Sequence, residues 1–278
     1  MEGMNEPVKS DWNSFARVNA SPRWRKPSAM MGRAMTDAIV AEAQIVPHLR
    51  VLDVASGTGE PAISIATALN GTGMVTATDI SAEPLAVGEQ RACERKLSNI
   101  RFRVADVHAL PFPDKSFERV TSRLGVMFFS NLPQALGEFH RVVTPGDRIS
   151  LLAWGPMQQP YFDSTIGTIL RLVPDAQVPA NASSMFKFGV AGTLSRALQE
   201  AGFRDADERQ TDIAWNWPGT PEEFWSYFQE VTVPFKPLLQ SVAGREDVSA
   251  AVLQELRNRY SGDQVRFQAR IVLVSALK

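Results

Sequence analysis

The run VLDVASGTGEPAISIA, Val51 to Ala66, limits the possible folds more than any other stretch of the chain. An apolar, β-prone segment carries one carboxylate, Asp53, and breaks at Ser56-Gly57-Thr58-Gly59. Apolar residues then resume at helical spacing behind Pro61. Proline is tolerated in a first helical turn, where its missing N–H costs nothing. A strand that passes through glycines into a helix N-terminus is a nucleotide-type site. Glycines let the main chain approach a ligand closely, and open parallel sheets bind ligands beyond the carboxyl ends of their strands.

The same alternation continues downstream. Arg50 to Ala55 reads as a strand, Pro61 to Leu69 as a helix ended by Asn70-Gly71, and Met74 to Ile80 as a second strand. Ser81 is placed to cap a helix reaching about Leu97. Ile100 to Asp106 and Arg119 to Leu124 read as strands three and four. Leu132, Ala135, Leu136, Phe139, Val142 and Val143 mark a helix stopped by Pro145-Gly146, and Arg148 to Trp154 is strand five. Strand–helix alternation of this kind means a parallel sheet covered on both faces. The regularity breaks at residue 156. A helix over Gly192 to Ala201, a sixth strand over Asp207 to Trp217 and a closing strand over Val265 to Ala276 follow. Residues 221 to 261 read as helical, interrupted at Pro234 and Pro237, with Val248, Ala251, Val252, Glu255, Leu256 and Tyr260 on one face of the last helix. The final pair of strands is expected to be antiparallel, because the closing strand returns after a helical insert.

Charge and cysteine content narrow the partners. The formal net charge of −1 over 278 residues offers no field for nucleic acid or an anionic membrane surface. A single cysteine, Cys93, cannot form an internal disulfide and suggests a reducing compartment. The N-terminal residues have no apolar core of signal-peptide length, and no apolar run approaches a membrane span. The expectation is a soluble, cytoplasmic protein acting on a small molecule.

The glycine turn alone, Gly57-x-Gly59-x-x-Ala62, fits the loose dinucleotide fingerprint, with Asp79 placed 20 residues after Gly59 to accept hydrogen bonds from ribose hydroxyls. It leaves hydride and methyl chemistry equally open. Three features separate them. Asp53 lies inside the strand, where a buried carboxylate needs partners or a cationic ligand group. Asp106 ends the third strand, placed to accept from an exocyclic amine such as that of adenine. No basic residue lies in Ala55 to Pro61 to hold a pyrophosphate.

Val51 to Ala66 resembles motif I of class I S-adenosylmethionine-dependent methyltransferases. VADVHALPFPDKSFERVTS and ALGEFHRVVTPGDRISLLAW resemble the following segments of the ubiquinone/menaquinone-biosynthesis-like (methyltransferase type 11) group. The resemblance covers roughly residues 45 to 155. Ala55-Ser56 departs from the more usual small-plus-cysteine pair, and Asp147 stands where a second glycine is common.

The resemblance implies an α/β fold: a Rossmann-like, doubly wound, seven-stranded sheet, mostly parallel with an antiparallel last strand, plus helical lid insertions. The expected organisation is a helical cap over 1–45 and a methyltransferase domain over 46–278, with insertions at about 156–190 and 218–263. It also implies S-adenosyl-L-methionine as cofactor, S-adenosyl-L-homocysteine as product, and no metal. Asp53 and the backbone of Ala55, Ser56 and Gly57 would face the methionine part, and Gly59 would let the chain pass close to it. Asp79 would hold the ribose, with Ile80 packed on adenine. Asp106 and the Val107 amide would read the adenine edge, and Ser122 would line the methionine end.

Simpler readings compete. Asp79 suits a helix cap and Asp106 an ordinary turn. His48 is expected at the end of strand one away from the site, His140 at the surface beside Arg141, and His108 beside adenine. Arg123, at the end of strand four, is a candidate for positioning an anionic or phenolate acceptor, against a salt bridge in a lid. The aromatics Trp154, Tyr161, Phe162, Phe186, Phe188, Trp215, Trp217, Phe224, Trp225, Tyr227 and Phe228 read mostly as core, with some roofing an apolar pocket. The segment Trp12 to Trp24 is placed to close over the cofactor. No catalytic base is identifiable, which favours an acceptor that is already acidic or electron-rich: a phenol, quinol-type carbon, thiol or carboxylate. A nicotinamide-dependent oxidoreductase and a non-catalytic cofactor-binding protein are the alternatives.

Overall fold

The computed structural model describes residues 23–278. Residues 1–22 lie outside it, and with them Trp12 and about half of the expected N-terminal cap. Seven strands form one sheet: β1 (Arg50–Val54), β2 (Met74–Asp79), β3 (Ile100–Val104), β4 (Phe117–Arg123), β5 (Val143–Trp154), β6 (Arg204–Ala214) and β7 (Gln268–Leu277). Their order is β3-β2-β1-β4-β5-β7-β6. The strands β1 to β5 pair in parallel, and β7 runs antiparallel to both β5 and β6. This is the expected seven-stranded, mostly parallel α/β sheet. The chain builds outward from β1 to β3, then crosses to β4 on the other side of β1. That reversal opens a crevice at the carboxyl ends of β1 and β4, where open sheets of this kind bind ligands.

The helices cover the sheet because their apolar residues recur on one face. They are α1 (Arg25–Met31), α2 (Arg33–Glu42), α3 (Ala62–Leu69), α4 (Ala82–Glu94), α5 (Leu132–Val142), α6 (Thr193–Glu200), α7 (Pro221–Val231) and α8 (Glu246–Arg257), with shorter turns between. In α5 the predicted stripe Ala135, Leu136, Phe139 and Val142 is buried. Asn131 caps it, accepting from the Gln134 N–H at 3.2 Å. Thr220 and Glu223 form a reciprocal capping box on α7. None of the described helices is long and apolar enough to cross a membrane.

Several boundaries differ from the sequence reading. The strand expected at Arg148 begins at Val143, directly after α5. Pro145-Gly146 is absorbed into that strand, where the β4–β5 register shifts between Phe117 and Arg119. Strand six runs from Arg204 to Ala214 rather than Asp207 to Trp217. Beyond Ala214 the chain leaves the main sheet, and Trp217 instead pairs with Val265 of a two-residue ribbon. Tyr260 sits exposed in that ribbon instead of extending the buried face of α8, which consists of Val248, Val252 and Leu256. Ser81 occupies the cap position of α4 without a side-chain cap bond; the carboxylate of Asp79 takes the Ser81 N–H at 3.0 Å. His140 is half-buried rather than superficial, edge-on to Phe203 at 5.2 Å, and its pKa is lowered by burial.

Candidate functional site

A cavity of about 670 Å³ opens at the reversal point. This lies within the roughly 300–1,000 Å³ typical of small-molecule sites. One wall comes from the strand ends: Ala55, Ser56 and Gly57 after β1, Asp79 and Ile80 after β2, Asp106 to His108 after β3, and Arg123 and Leu124 at the end of β4. The opposite end is aromatic, built by Trp154, Tyr161, Phe162, Trp215 and Tyr227. The helices α1 and α2 close a third side with Ser28, Gly32 and Thr36.

The strand-end wall is tied together by Asp79. One carboxylate oxygen accepts the Gly57 N–H at 2.9 Å and the other accepts the Ser81 N–H. Burial pushes the Asp79 pKa up, opposed by the backbone N–H groups of Ser81, Gly57 and Ile80. The sequence offered two roles for Asp79, organising the next helix and facing a ligand. The structure gives it the first contact and also a place on the cavity wall. Gly57 has φ +52°, and a Cβ there would meet nothing within 4 Å. Asp106 accepts from the His108 N–H at 2.9 Å and meets the His108 ring at Nδ1, 2.7 Å away. The ring's Nε2 accepts from the Asn131 N–H at 3.2 Å. His108 thus links the end of β3 to the start of α5.

Two of the wall residues hold an uncommon backbone conformation. Ala55 has φ +57° and Leu124 has φ +60°, at the ends of neighbouring strands. Such conformations cost of order 1–3 kcal/mol and cluster at ligand sites.

Three residues expected in the site do not line the cavity. Asp53 is fully buried beneath it: one oxygen accepts from the Thr121 hydroxyl at 2.7 Å and the other has no partner. Desolvation raises its pKa to about 7. It therefore meets no cationic ligand group directly. Ser122 is likewise sealed: its hydroxyl is buried without a partner, packed under Gly125 of the turn that follows β4. Gly59 faces protein. A Cβ there would come within 2.6 Å of Ile63 Cδ1 and 3.1 Å of the Gly88 Cα, so its close approach is to α3 and α4.

Sequence reasoning missed Arg91 and Glu60. Arg91 reaches from α4 to the carbonyl of Thr58 and pairs with Glu60 at 3.1 Å, and both side chains line the cavity. Burial lowers the Arg91 pKa, opposed by Glu60. The signal lay in Gly88, a glycine inside a helical pattern, three residues before Arg91 and so on the same face. That face packs on the glycine loop. The loop is cation-poor in sequence yet gains a guanidinium in space.

Of the eleven aromatics named from the sequence, five reach the cavity. Trp217, Phe224 and Phe228 are core, with ring centres within 6 Å of one another or of Tyr227. Trp24 packs on Trp217 and Tyr227 and donates to Glu230 at 2.7 Å, so α1 is anchored to α7.

The fold and cavity define a doubly wound α/β protein whose cavity has a polar strand-end wall and an aromatic chamber. The model of the ubiE/COQ5 methyltransferase family matches residues 24–212, and the chain belongs to that family. It is 36% identical over 138 residues to a ubiquinone/menaquinone biosynthesis C-methyltransferase of Burkholderia cenocepacia, covering 48% of this chain and 56% of that protein. The corresponding enzyme of Agrobacterium fabrum is 36% identical over 139 residues, covering 49% and 54%. The aligned region thus spans just over half the length of these relatives. Among solved structures, the [4+2]-cyclase SpnF superposes with a TM-score of 0.56 at 23% identity, covering 88% of this chain and 80% of that one. A phosphoethanolamine N-methyltransferase of Haemonchus contortus, solved with S-adenosyl-L-methionine, gives 0.55 at 14% identity, covering 95% and 60%. At these identities the structures speak for the fold.

Proposed function

We propose that the protein transfers a methyl group from S-adenosyl-L-methionine to a small, apolar or aromatic acceptor of phenol or quinol type. The observation that carries this reading is the continuity of the cavity. The polar wall of Gly57, Asp79 and Asp106 and the chamber of Trp154, Tyr161, Trp215 and Tyr227 open into one space, with room for a nucleoside cofactor and a flat acceptor side by side.

The residues present fit the cofactor. When bound, it would supply a methyl group activated by a sulfonium centre. In this reading Asp79, already fixed by two backbone N–H groups, accepts the ribose hydroxyls with its remaining lone pairs. Gly57 leaves open the space that a side chain would take from the ligand. Ser81, whose buried hydroxyl has no partner, offers a further polar contact. Asp106 and the Val107 N–H read the adenine edge, and Ile80 packs against the ring. Ala55 and Ser56 present backbone to the methionine portion. Asp53 acts at a distance, through Thr121 and the end of β4, rather than by touching the cofactor. The chain's contribution to the chemistry is to orient the two reactants and exclude water.

The test is calorimetric titration with S-adenosyl-L-methionine, S-adenosyl-L-homocysteine and NAD(P), on the wild type and Asp79→Ala. Binding of the two S-adenosyl compounds, lost in the variant, is the expected result. Binding of NAD(P) alone would overturn the reading in favour of an oxidoreductase.

A further inference from the structure

Arg123 stands where the two halves of the cavity meet. It ends β4, its side chain lines the cavity, and both of its hydrogen bonds run through one terminal nitrogen, Nη1: to Thr36 Oγ1 at 2.9 Å and to the Gly32 carbonyl at 3.3 Å. Its Nε is buried and has no partner. Among the described residues no carboxylate lies within salt-bridge distance of it. The nearest acids it feels, Glu60 and Asp53, act through space, Asp53 from the same face of the sheet. A guanidinium offers five N–H donors in a rigid fork suited to planar oxygen groups. Here the fork is clamped by one corner to α2, and Gly32 leaves the room for it: a Cβ at Gly32 would lie 3.3 Å from Nη1. A buried donor without a partner costs about 1–3 kcal/mol, which a ligand oxygen would recover.

The surroundings state what that oxygen is attached to. Arg123 shares the cavity with Tyr227 and Tyr161, both of whose hydroxyls are held protonated by burial, and with the rings of Trp154 and Trp215. Neutral phenols and indoles do not take a proton from an acceptor. A fixed cation facing a flat apolar chamber stabilises one that has already lost it.

We propose that Arg123 is the acceptor-binding residue of this site and that the acceptor is a planar aromatic or enolic molecule bound with an ionised oxygen on Arg123. This rests on the methyltransferase reading and names the residue and the ionisation state by which its acceptor is held. In such an acceptor the attacking atom is the ionised oxygen or a ring carbon conjugated with it. Attack by oxygen forms the O–CH3 bond and yields a neutral ether. Attack by carbon forms the C–CH3 bond and releases that carbon's proton to solvent. In both cases the carbon–sulfur electron pair stays on sulfur, and no side-chain base is required.

The test uses 4-nitrophenol, whose ionised form has its own absorption band, against its neutral methyl ether, 4-nitroanisole, on protein with and without saturating S-adenosyl-L-homocysteine. The expected result is that the bound phenol ionises at least about one pH unit below its free value, as an acid beside a fixed cation does. The phenolate then binds about tenfold more tightly than the ether. Arg123→Gln should erase both differences, and Arg123→Lys should keep part of the ionisation shift. Equal binding of phenolate and ether by the wild type, or a shift that survives in Arg123→Gln, overturns the proposal. Should Arg123→Gln fail to fold, judged by its melting curve, a shift in Arg123→Lys as large as the wild type's overturns it, since an ammonium lacks the fork. Loss of S-adenosyl-L-homocysteine binding in a folded Arg123→Gln also overturns it, by assigning the arginine to the cofactor. Phenolate preference without any S-adenosyl-L-homocysteine binding would instead sink the methyltransferase reading and leave the anion site standing.

Discussion

The two ends of the cavity are built in opposite ways. The strand-end wall is built mostly from residues that end or directly follow β1 to β4, each placed by the strand that carries it. The aromatic chamber is made of large side chains from residues 154, 161, 162, 215 and 227, which only the tertiary fold brings together. The first is fixed by local backbone geometry, including positive φ at Ala55, Gly57 and Leu124. The second is fixed by packing. Errors at the two ends should therefore have different consequences: a change in the wall moves ligand affinity, and a change around the chamber moves stability.

The largest effect should come from the chamber's support. Phe224 is fully buried and lies within 5.1 Å of Phe267 and 6.1 Å of Tyr161, ring centre to ring centre. It belongs to the same continuous core as the sheet residues Leu151 and Val274. Phe224→Ala should cost about 3–5 kcal/mol, with a single unfolding transition in denaturant. A loss below about 1 kcal/mol, or two transitions, would mean that the inserted helices form a separate unit.

The wall has one member that breaks the contrast, Asp53. It belongs to the local motif yet behaves as a core residue. Its pKa is about 7 in the folded chain against 3.8 for a free aspartate. A carboxyl with the higher value in the folded state takes up a proton on folding between those two pH values. Its contribution is most favourable below pH 3.8, declines as the pH rises toward about 7, and is level beyond. Each unit of difference is worth about 1.4 kcal/mol, so the decline amounts to a few kcal/mol. Asp53→Asn should remove that decline, seen as a stability difference between variant and wild type that changes across the interval. A difference independent of pH would mean that the carboxylate is stabilised by more than Thr121.

Much of the fold and part of the site could be read from the chain before its structure. Strand–helix alternation placed β1 to β4 within a few residues, because each is a short segment rich in β-branched and apolar residues that ends in a clear turn. It misplaced the start of β5 and the end of β6. Pro145-Gly146 reads locally as a stop, and Trp215 to Trp217 reads locally as strand; long-range pairing overrode both. In the site, Gly57, Asp79 and Asp106 were legible because they follow strands directly. Arg91 was not, since its place depends on which face of α4 meets the loop. Asp53 and Ser122 were legible as special but not as sealed, because what covers them, Thr121 and the turn after β4, comes from chain distant from β1 in sequence or from how that turn folds back. The chamber was legible only as an excess of aromatics.

Asp79 tests whether the wall acts as proposed. Asp79→Ala removes the acceptor for the Gly57 and Ser81 N–H groups as well as a carboxylate facing the cavity. Hydrogen bonds to a charged group are worth about 1.5–3 kcal/mol, so the affinity for S-adenosyl-L-homocysteine should fall between about tenfold and a hundredfold or more. Titration calorimetry on a variant that still melts cooperatively makes the measurement, and unchanged affinity would remove Asp79 from the site.

The two glycines of the motif sharpen the contrast at the smallest scale, since they sit two residues apart and do different work. At Gly57 an added Cβ meets no protein atom, so Gly57→Ala loses only the cost of a left-handed alanine, about 1–2 kcal/mol of stability. Its methyl group would point into open space on the cavity wall, so ligand affinity should fall about tenfold in addition. At Gly59 the Cβ meets Ile63 and Gly88, and φ is +104°. Gly59→Ala should therefore lose at least as much stability, by pushing α4 off the loop, while any affinity change follows only from that displacement. Denaturation and titration on both variants read the two quantities separately. If Gly59→Ala instead weakened the ligand at full stability, the loop's close approach would be to the ligand and not to α4, and the division between a wall made by backbone and a core made by packing would run through a different residue.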